Sequence, residues 1–237
     1  MAQRDPEQIS IQTEDGPMPA SLWRPPAGTG PGLVLVHEIF GLGRYMQDRA
    51  ADLAALGYVV CAPELFWRLG PEAMQAAQSD VLEDALTVAG KADFDLCVAD
   101  TRAAFAHLTR RPEVTGEVGL IGFCFGGGVA FAAAATAQIS PALLVSYYGS
   151  ALPQLLDLAD QVTAPSLHHF GLADDYLPPE TVNEITAVLA ASPAIRIETH
   201  PGAGHAFDNP LPGFHHAAAS AAAWEFTNFE TSSSTMA

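Results

Sequence analysis

The stretch Gly122-Phe123-Cys124-Phe125-Gly126-Gly127-Gly128 constrains this chain more than any other. Glu117-Val118-Gly119-Leu120-Ile121 precedes it and reads as a buried strand, and Val129 to Ala135 follows it and reads as a packed helix. A cysteine with a small residue two positions away on each side, between a strand and a helix, has the pattern of a nucleophile elbow. The demand is steric. The nucleophile sits on a tight turn with strained backbone angles, and glycines at 122 and 126 remove the β-carbons that would collide there. The following helix points its positive end at the sulfur, which favours a thiolate. Taken alone, Cys124 is as well explained as a small buried hydrophobe, so the rest of the chain has to decide.

The chain in order alternates strand and helix signals. Residues 8–13 and 18–23 alternate polar and apolar letters around Glu14-Asp15-Gly16-Pro17, the pattern of a hairpin. Residues 32–36 form a continuous apolar run, as expected of a strand covered on both faces. Tyr45 to Leu56 places Met46, Ala50, Leu53 and Leu56 on one helical face, closed by Gly57. A strand is expected at 58–62, then an irregular, later acidic and helical segment over 63–91. A helix follows at 94–108 with Cys97, Thr101, Ala104, Phe105 and Leu108 inward. Beyond the elbow, strands are expected at 142–146, 165–170 and 194–199, with helices at 179–189 and 214–226. This alternation predicts an α/β fold, with a mostly parallel central sheet, helices on both faces and an N-terminal hairpin. One domain over residues 1–237 is expected, with an ordered core over about 8–227 and a frayed tail over 231–237.

Function in such sheets gathers at the carboxyl ends of the strands. Three residues fall there in the order nucleophile, acid, histidine: Cys124, Asp174 and His205. His205 lies in the loop 202–207, where its ring can reach the sulfur, remove its proton and later return it to a leaving oxygen. Asp174, favoured over Asp175 by the turn Gly171-Leu172-Ala173-Asp174, would fix the tautomer. An oxyanion needs backbone donors, and the N–H groups of Phe125 and Ile39 are the candidates. Glu38, beside the second of these, is either a solvated loop charge or an inward carboxylate that holds the thiol neutral. Trp67, Tyr147 and Phe207 are candidates for an apolar pocket, and each is equally well explained as core. His37 is read as a support for its loop, and His168 and His169 as packing residues.

Charge and cysteine count exclude other classes. With 10 Lys+Arg against 27 Asp+Glu, the net charge is −17, which disfavours nucleic-acid and anionic-membrane partners. No apolar run reaches the roughly 18 residues a membrane span needs, and the first residues show no secretory pattern. Three cysteines with no paired spacing suit a reducing cytoplasm and no metal site, and the expected chemistry needs no cofactor.

Together, His37-Glu38-Ile39-Phe40-Gly41-Leu42, the elbow, Tyr147-Tyr148-Gly149, Gly171 to Pro178 and Gly204-His205-Ala206-Phe207 resemble the dienelactone hydrolase (carboxymethylenebutenolidase) family over residues 8 to 227. The resemblance implies the α/β-hydrolase fold and a Cys124–His205–Asp174 triad, with Glu38 controlling the thiol. It further implies a carboxylic ester hydrolase that opens an enol-lactone, as in aromatic compound degradation. It also implies arginines that hold the substrate carboxylate, one of them four residues after the histidine. Here that position is Asn209, preceded by Asp208. No basic residue follows Arg196 and none lies within 70–90, which leaves Arg44, Arg68 and Lys91. The expected partner is a small-molecule ester or lactone, opened as dienelactone is, with a less anionic or larger substrate as an alternative. A thioesterase, or a ligand-binding or redox-sensing protein on the same scaffold, are the alternatives.

Overall fold

The structure, a computed structural model, describes residues 5–234. The chain divides into two compact units, one up to Leu120 and one from Ile121 on, with the division inside a single strand.

In the first unit, β1 (Glu7–Thr13) and β2 (Gly16–Trp23) pair antiparallel from Glu7↔Leu22 to Thr13↔Gly16. The turn is therefore only Glu14-Asp15, shorter than the expected 14–17, because Gly16 adopts φ +126° and already belongs to β2. β3 (Gly30–Val36) runs parallel to β4 (Val59–Pro63), and β4 pairs antiparallel with β2. With β5 (Val114–Phe123) the order is β1-β2-β4-β3-β5. Between β3 and β4 lies α1 (Arg44–Ala55), which buries Met46, Ala50, Leu53 and Ala54. Two short helices, α2 (Pro71–Ala77) and α3 (Leu82–Ala89), occupy the acidic segment. α4 (Phe94–Thr109) starts on Asp93, whose side chain accepts from Leu96 N–H, and it buries the five inward residues expected of it.

In the second unit the order continues as β5-β6-β7-β8, with β6 (Leu144–Tyr147), β7 (Ser166–Gly171) and β8 (Ile195–His200) all parallel. α5 (Phe125–Ala134) follows β5 and is built of glycine, alanine and three larger apolar residues. Its glycines are set by contact: a β-carbon at Gly127 would meet Ser146 Oγ at 2.7 Å, and one at Gly128 would meet Ala151 Cβ at 2.6 Å. α6 (Pro179–Leu189) matches its expected bounds. α7 (Ala217–Ser234) runs on through 231–234, where a frayed tail was expected, and residues 235–237 lie outside the described residues. Among the described residues no helix is long and apolar enough to cross a membrane.

Beneath α5, His168 is fully buried between Phe131 and Phe170, with neither ring nitrogen hydrogen-bonded. Burial pushes its imidazole down to about 4. The unfolded chain, near 6.5, therefore takes up the proton first as pH falls. Stability is fully present above about pH 6.5 and is lost between there and pH 4, by about 2–3 kcal/mol at pH 4.5. His168→Phe should remove that loss and also end the cost of an unpaired polar ring. Urea unfolding should show a gain of about 1 kcal/mol at pH 7, larger by about 2 kcal/mol at pH 4.5. A gain independent of pH would contradict this account.

Candidate active site

Cys124 stands at the junction of β5 and α5 with φ +50° and ψ −115°, a backbone conformation that costs a non-glycine residue about 1–3 kcal/mol. Its surroundings hold it there. Cys124 N–H donates to Tyr147 O at 2.9 Å, and the N–H groups of Gly127 and Ser150 donate to Cys124 O at 3.0 and 3.2 Å. At Gly122 an added β-carbon would lie 2.2 Å from Gly126 O, so the turn can close only without it.

The loop after β8 brings in the histidine. Gly171 has no β-carbon, and one there would sit 2.3 Å from Ala203 O. This bare strand end lets the loop dock, with Ala173 N–H donating to Ala203 O at 2.9 Å. Ala206, at φ +55°, carries the chain past His205. The ring then bridges two groups: Nε2 lies 3.1 Å from Cys124 Sγ, and Nδ1 lies 2.7 Å from Asp174 Oδ2. Asp174 is buried, and its other oxygen accepts from the N–H groups of Tyr176 and Leu177 at 2.7 and 3.1 Å. Asp175 is exposed. Burial opposes a charged ring at His205. The Cys124 sulfur and the hydrogen bond to Asp174 outweigh that opposition and push the ring up to about 10. The rings of Tyr148 and Tyr176 flank it, with centroids 5.4 and 5.0 Å away.

Other residues singled out in the sequence have different settings. Tyr147 and Phe207 are fully buried, and Tyr147 hydroxyl shares a 2.8 Å hydrogen bond with Thr227. Asn209 is also buried, and its Oδ1 accepts from Leu211 N–H at 2.9 Å. Asp208 accepts from Ser220 hydroxyl. Phe125 is the first residue of α5. Glu38 and Ile39 belong to the first unit, in the loop after β3, where Glu38 is buried and Gly41 N–H donates to its carbonyl at 3.1 Å. His37 supports that loop. Its Nε2 accepts from Leu65 N–H at 3.0 Å, so Nδ1 carries the proton and donates to Glu38 O at 2.8 Å.

The three candidate cations are placed as follows. Arg68 pairs with Asp100 and Asp15 and lies 4.5 Å over the ring of Trp67, whose indole N–H also donates to Asp100. Arg44 is exposed beside Asp48, and Lys91 is exposed. Arg196, the one basic residue of the second unit, pairs with Glu198 and covers Phe226. Sequence reasoning passed over Ser150, whose hydroxyl lies 3.8 Å from Cys124 Sγ. The signal was its place directly after Tyr147-Tyr148-Gly149.

A strained cysteine at a strand-to-helix turn, followed by an acid and a histidine from later strand ends, defines an α/β-hydrolase. The chain belongs to the dienelactone hydrolase family, whose model matches residues 18–230. It is 33% identical over 221 residues to a carboxymethylenebutenolidase of Pseudomonas putida, covering 92% of this chain and 93% of that one. It is 27% identical over 205 residues to carboxymethylenebutenolidase 1 of Cupriavidus pinatubonensis, covering 86% of each. A solved dienelactone hydrolase from Anabaena variabilis shares the fold, with a TM-score of 0.69 and 22% identity over 94% of this chain and 98% of that one.

Proposed function

We propose that this hydrolase opens a neutral or weakly anionic carboxylic ester or lactone through an acyl-cysteine intermediate. The observation that carries the reading is the unbroken chain of contacts from Cys124 Sγ through His205 to Asp174, at 3.1 and 2.7 Å. Against burial, the neighbouring sulfur and the hydrogen bond to Asp174 push the His205 ring up, which suits Nε2 to take the thiol proton as the sulfur attacks.

The sulfur attacks the carbonyl carbon, and the carbonyl electrons move onto oxygen, where Phe125 N–H is the assigned donor. As the tetrahedral centre collapses, the C–O bond breaks and His205 Nε2–H gives its proton to the leaving oxygen. In a lactone that oxygen stays tethered to the acyl group. The now neutral ring takes a proton from water, the hydroxide adds to the thioester, and collapse returns the thiolate. Asp174 holds Nδ1–H throughout, which keeps Nε2 aimed at the sulfur.

The relatives' name points to a lactone bearing a carboxylate. Against that, Asn209 occupies the position where an arginine was expected, and Arg196 is engaged elsewhere. A charge-assisted contact to a carboxylate contributes about 1.5–3 kcal/mol, so its absence favours a less anionic substrate by about 10- to 100-fold. The test compares dienelactone with a neutral aryl ester across pH. The neutral ester should be turned over with the higher kcat/KM. Its rate should fall as pH rises through about 10, and Asp174→Asn should move that fall down by about 1–2 pH units. Faster turnover of dienelactone would refute the substrate class, and a pH profile indifferent to Asp174→Asn would refute the mechanism.

A further inference from the structure

We propose that Tyr176 forms a leaving-group subsite beside His205 and makes this protein selective for esters of aromatic alcohols. The inference deepens the reading of Cys124 and His205 as the reacting pair and rests on it. Tyr176 is 63% exposed, more than any other large hydrophobic side chain among the described residues. Its backbone, by contrast, is pinned. The N–H groups of Tyr176 and Leu177 donate to Asp174 Oδ1 at 2.7 and 3.1 Å, and Asp174 and Leu177 are both buried. The other oxygen of the same carboxylate holds His205 Nδ1 at 2.7 Å. One carboxylate therefore sets the place of both rings: the imidazole that handles the proton and the phenol that projects next to it.

The two aromatic neighbours of His205 differ. Tyr148 is fully buried, with Phe207 at 5.2 Å and Phe123 at 6.5 Å between centroids, so it is taken up by the core. Tyr176 stands 5.0 Å from the imidazole with the planes tilted by 42°. The rings are not face to face, and the exposed face of Tyr176 is left for a third ring. In the acylation step the leaving oxygen comes within about 2.6–3.2 Å of His205 Nε2 to receive its proton. A phenyl group carried on that oxygen is brought within the roughly 4.5–7 Å over which aromatic centroids attract one another. A small alkyl group there has no π-face to present and covers less apolar area, so it gains less.

The measurement is the ratio of kcat/KM for phenyl acetate to that for trifluoroethyl acetate, two neutral esters that share an acyl group and differ in the leaving alcohol. In Tyr176→Ala this ratio should fall about 3- to 10-fold, and Tyr176→Phe should restore it. Because it is a ratio, it does not move with general damage to the turn at Asp174. Equal losses on both esters leave it unchanged and overturn the proposal, since the ring would then only support the turn. Trifluoroethyl benzoate carries its ring on the acyl side. A loss confined to that ester would overturn the assignment to the leaving group. If Tyr176→Ala does not fold, Tyr176→Leu gives the same comparison with the bulk kept. The underlying reading fails separately: ester turnover that survives in Cys124→Ala removes the nucleophile. Phenol binding to Cys124→Ala, followed by NMR titration, still decides the subsite. Its dissociation constant should rise about 3- to 10-fold when Tyr176→Ala is added, and an unchanged constant overturns the proposal.

Discussion

Cys124→Ala should lower ester turnover by at least about 10⁴-fold while leaving unfolding free energy within about 1 kcal/mol of the parent. The two halves of this expectation have separate causes. Alanine keeps the β-carbon, so the φ +50° strain at this position is unchanged and the backbone bonds to Tyr147 and Ser150 remain. What is lost is the atom that forms the acyl bond and makes the 3.1 Å link to His205, while the neighbouring Ser150 Oγ lies 3.8 Å from that atom. Residues that act as a unit are not additive, so Asp174→Asn should cost little further in the Cys124→Ala background. Parallel steady-state rates and urea curves on the three variants decide the matter. A Cys124→Ala protein that keeps more than about a tenth of the parent rate would exclude the acyl-cysteine route.

Gly122→Ala should be the most damaging single methyl in the second unit. The added carbon would lie 2.2 Å from Gly126 O, 2.6 Å from Gly126 C and 2.8 Å from Gly127 N, all backbone atoms of the turn that presents the nucleophile. Backbone cannot step aside as a flexible side chain can, so the elbow must open. The expected cost is about 3 kcal/mol or more, with hydrolysis lost in whatever fraction remains folded. Gly28→Ala is a useful contrast. Its φ is +79°, yet nothing lies within 4 Å of the new carbon, so the cost should be only the conformational part, about 1 kcal/mol. Equal unfolding midpoints for the two variants would show that the elbow is not closed as described.

Much of this was written into the letters, for identifiable reasons. The elbow is legible because its steric demand is local: glycines at 122 and 126 answer each other across one turn. Asp174 was distinguishable from Asp175 because turn geometry fixes which side chain faces inward. What stayed hidden depends on partners far away in the chain. Composition could not decide whether Tyr147 lines a pocket or fills the core, because its hydroxyl partner, Thr227, is 80 positions away. Arg68 was counted among candidates for a substrate carboxylate because its true counterion is on another helix. A clue was present: Asp100 lies on the inward face of α4 next to Thr101, and an acid there calls for a cation. The short hairpin turn was missed because Gly16, at φ +126°, already pairs with Thr13 as part of β2, which spacing alone does not reveal.

Thr227 has one more implication, for how the polypeptide matures. Its hydroxyl is the shared partner of Tyr147 on β6 and, at 3.3 Å, of His169 on β7, whose other nitrogen contacts His200 on β8. A chain cut ahead of Thr227 would leave a buried phenol and a buried imidazole without that partner. The interior of these three strands is therefore completed only when Thr227 docks, and a cut ahead of it would be felt at the sheet rather than at the helix that carries it.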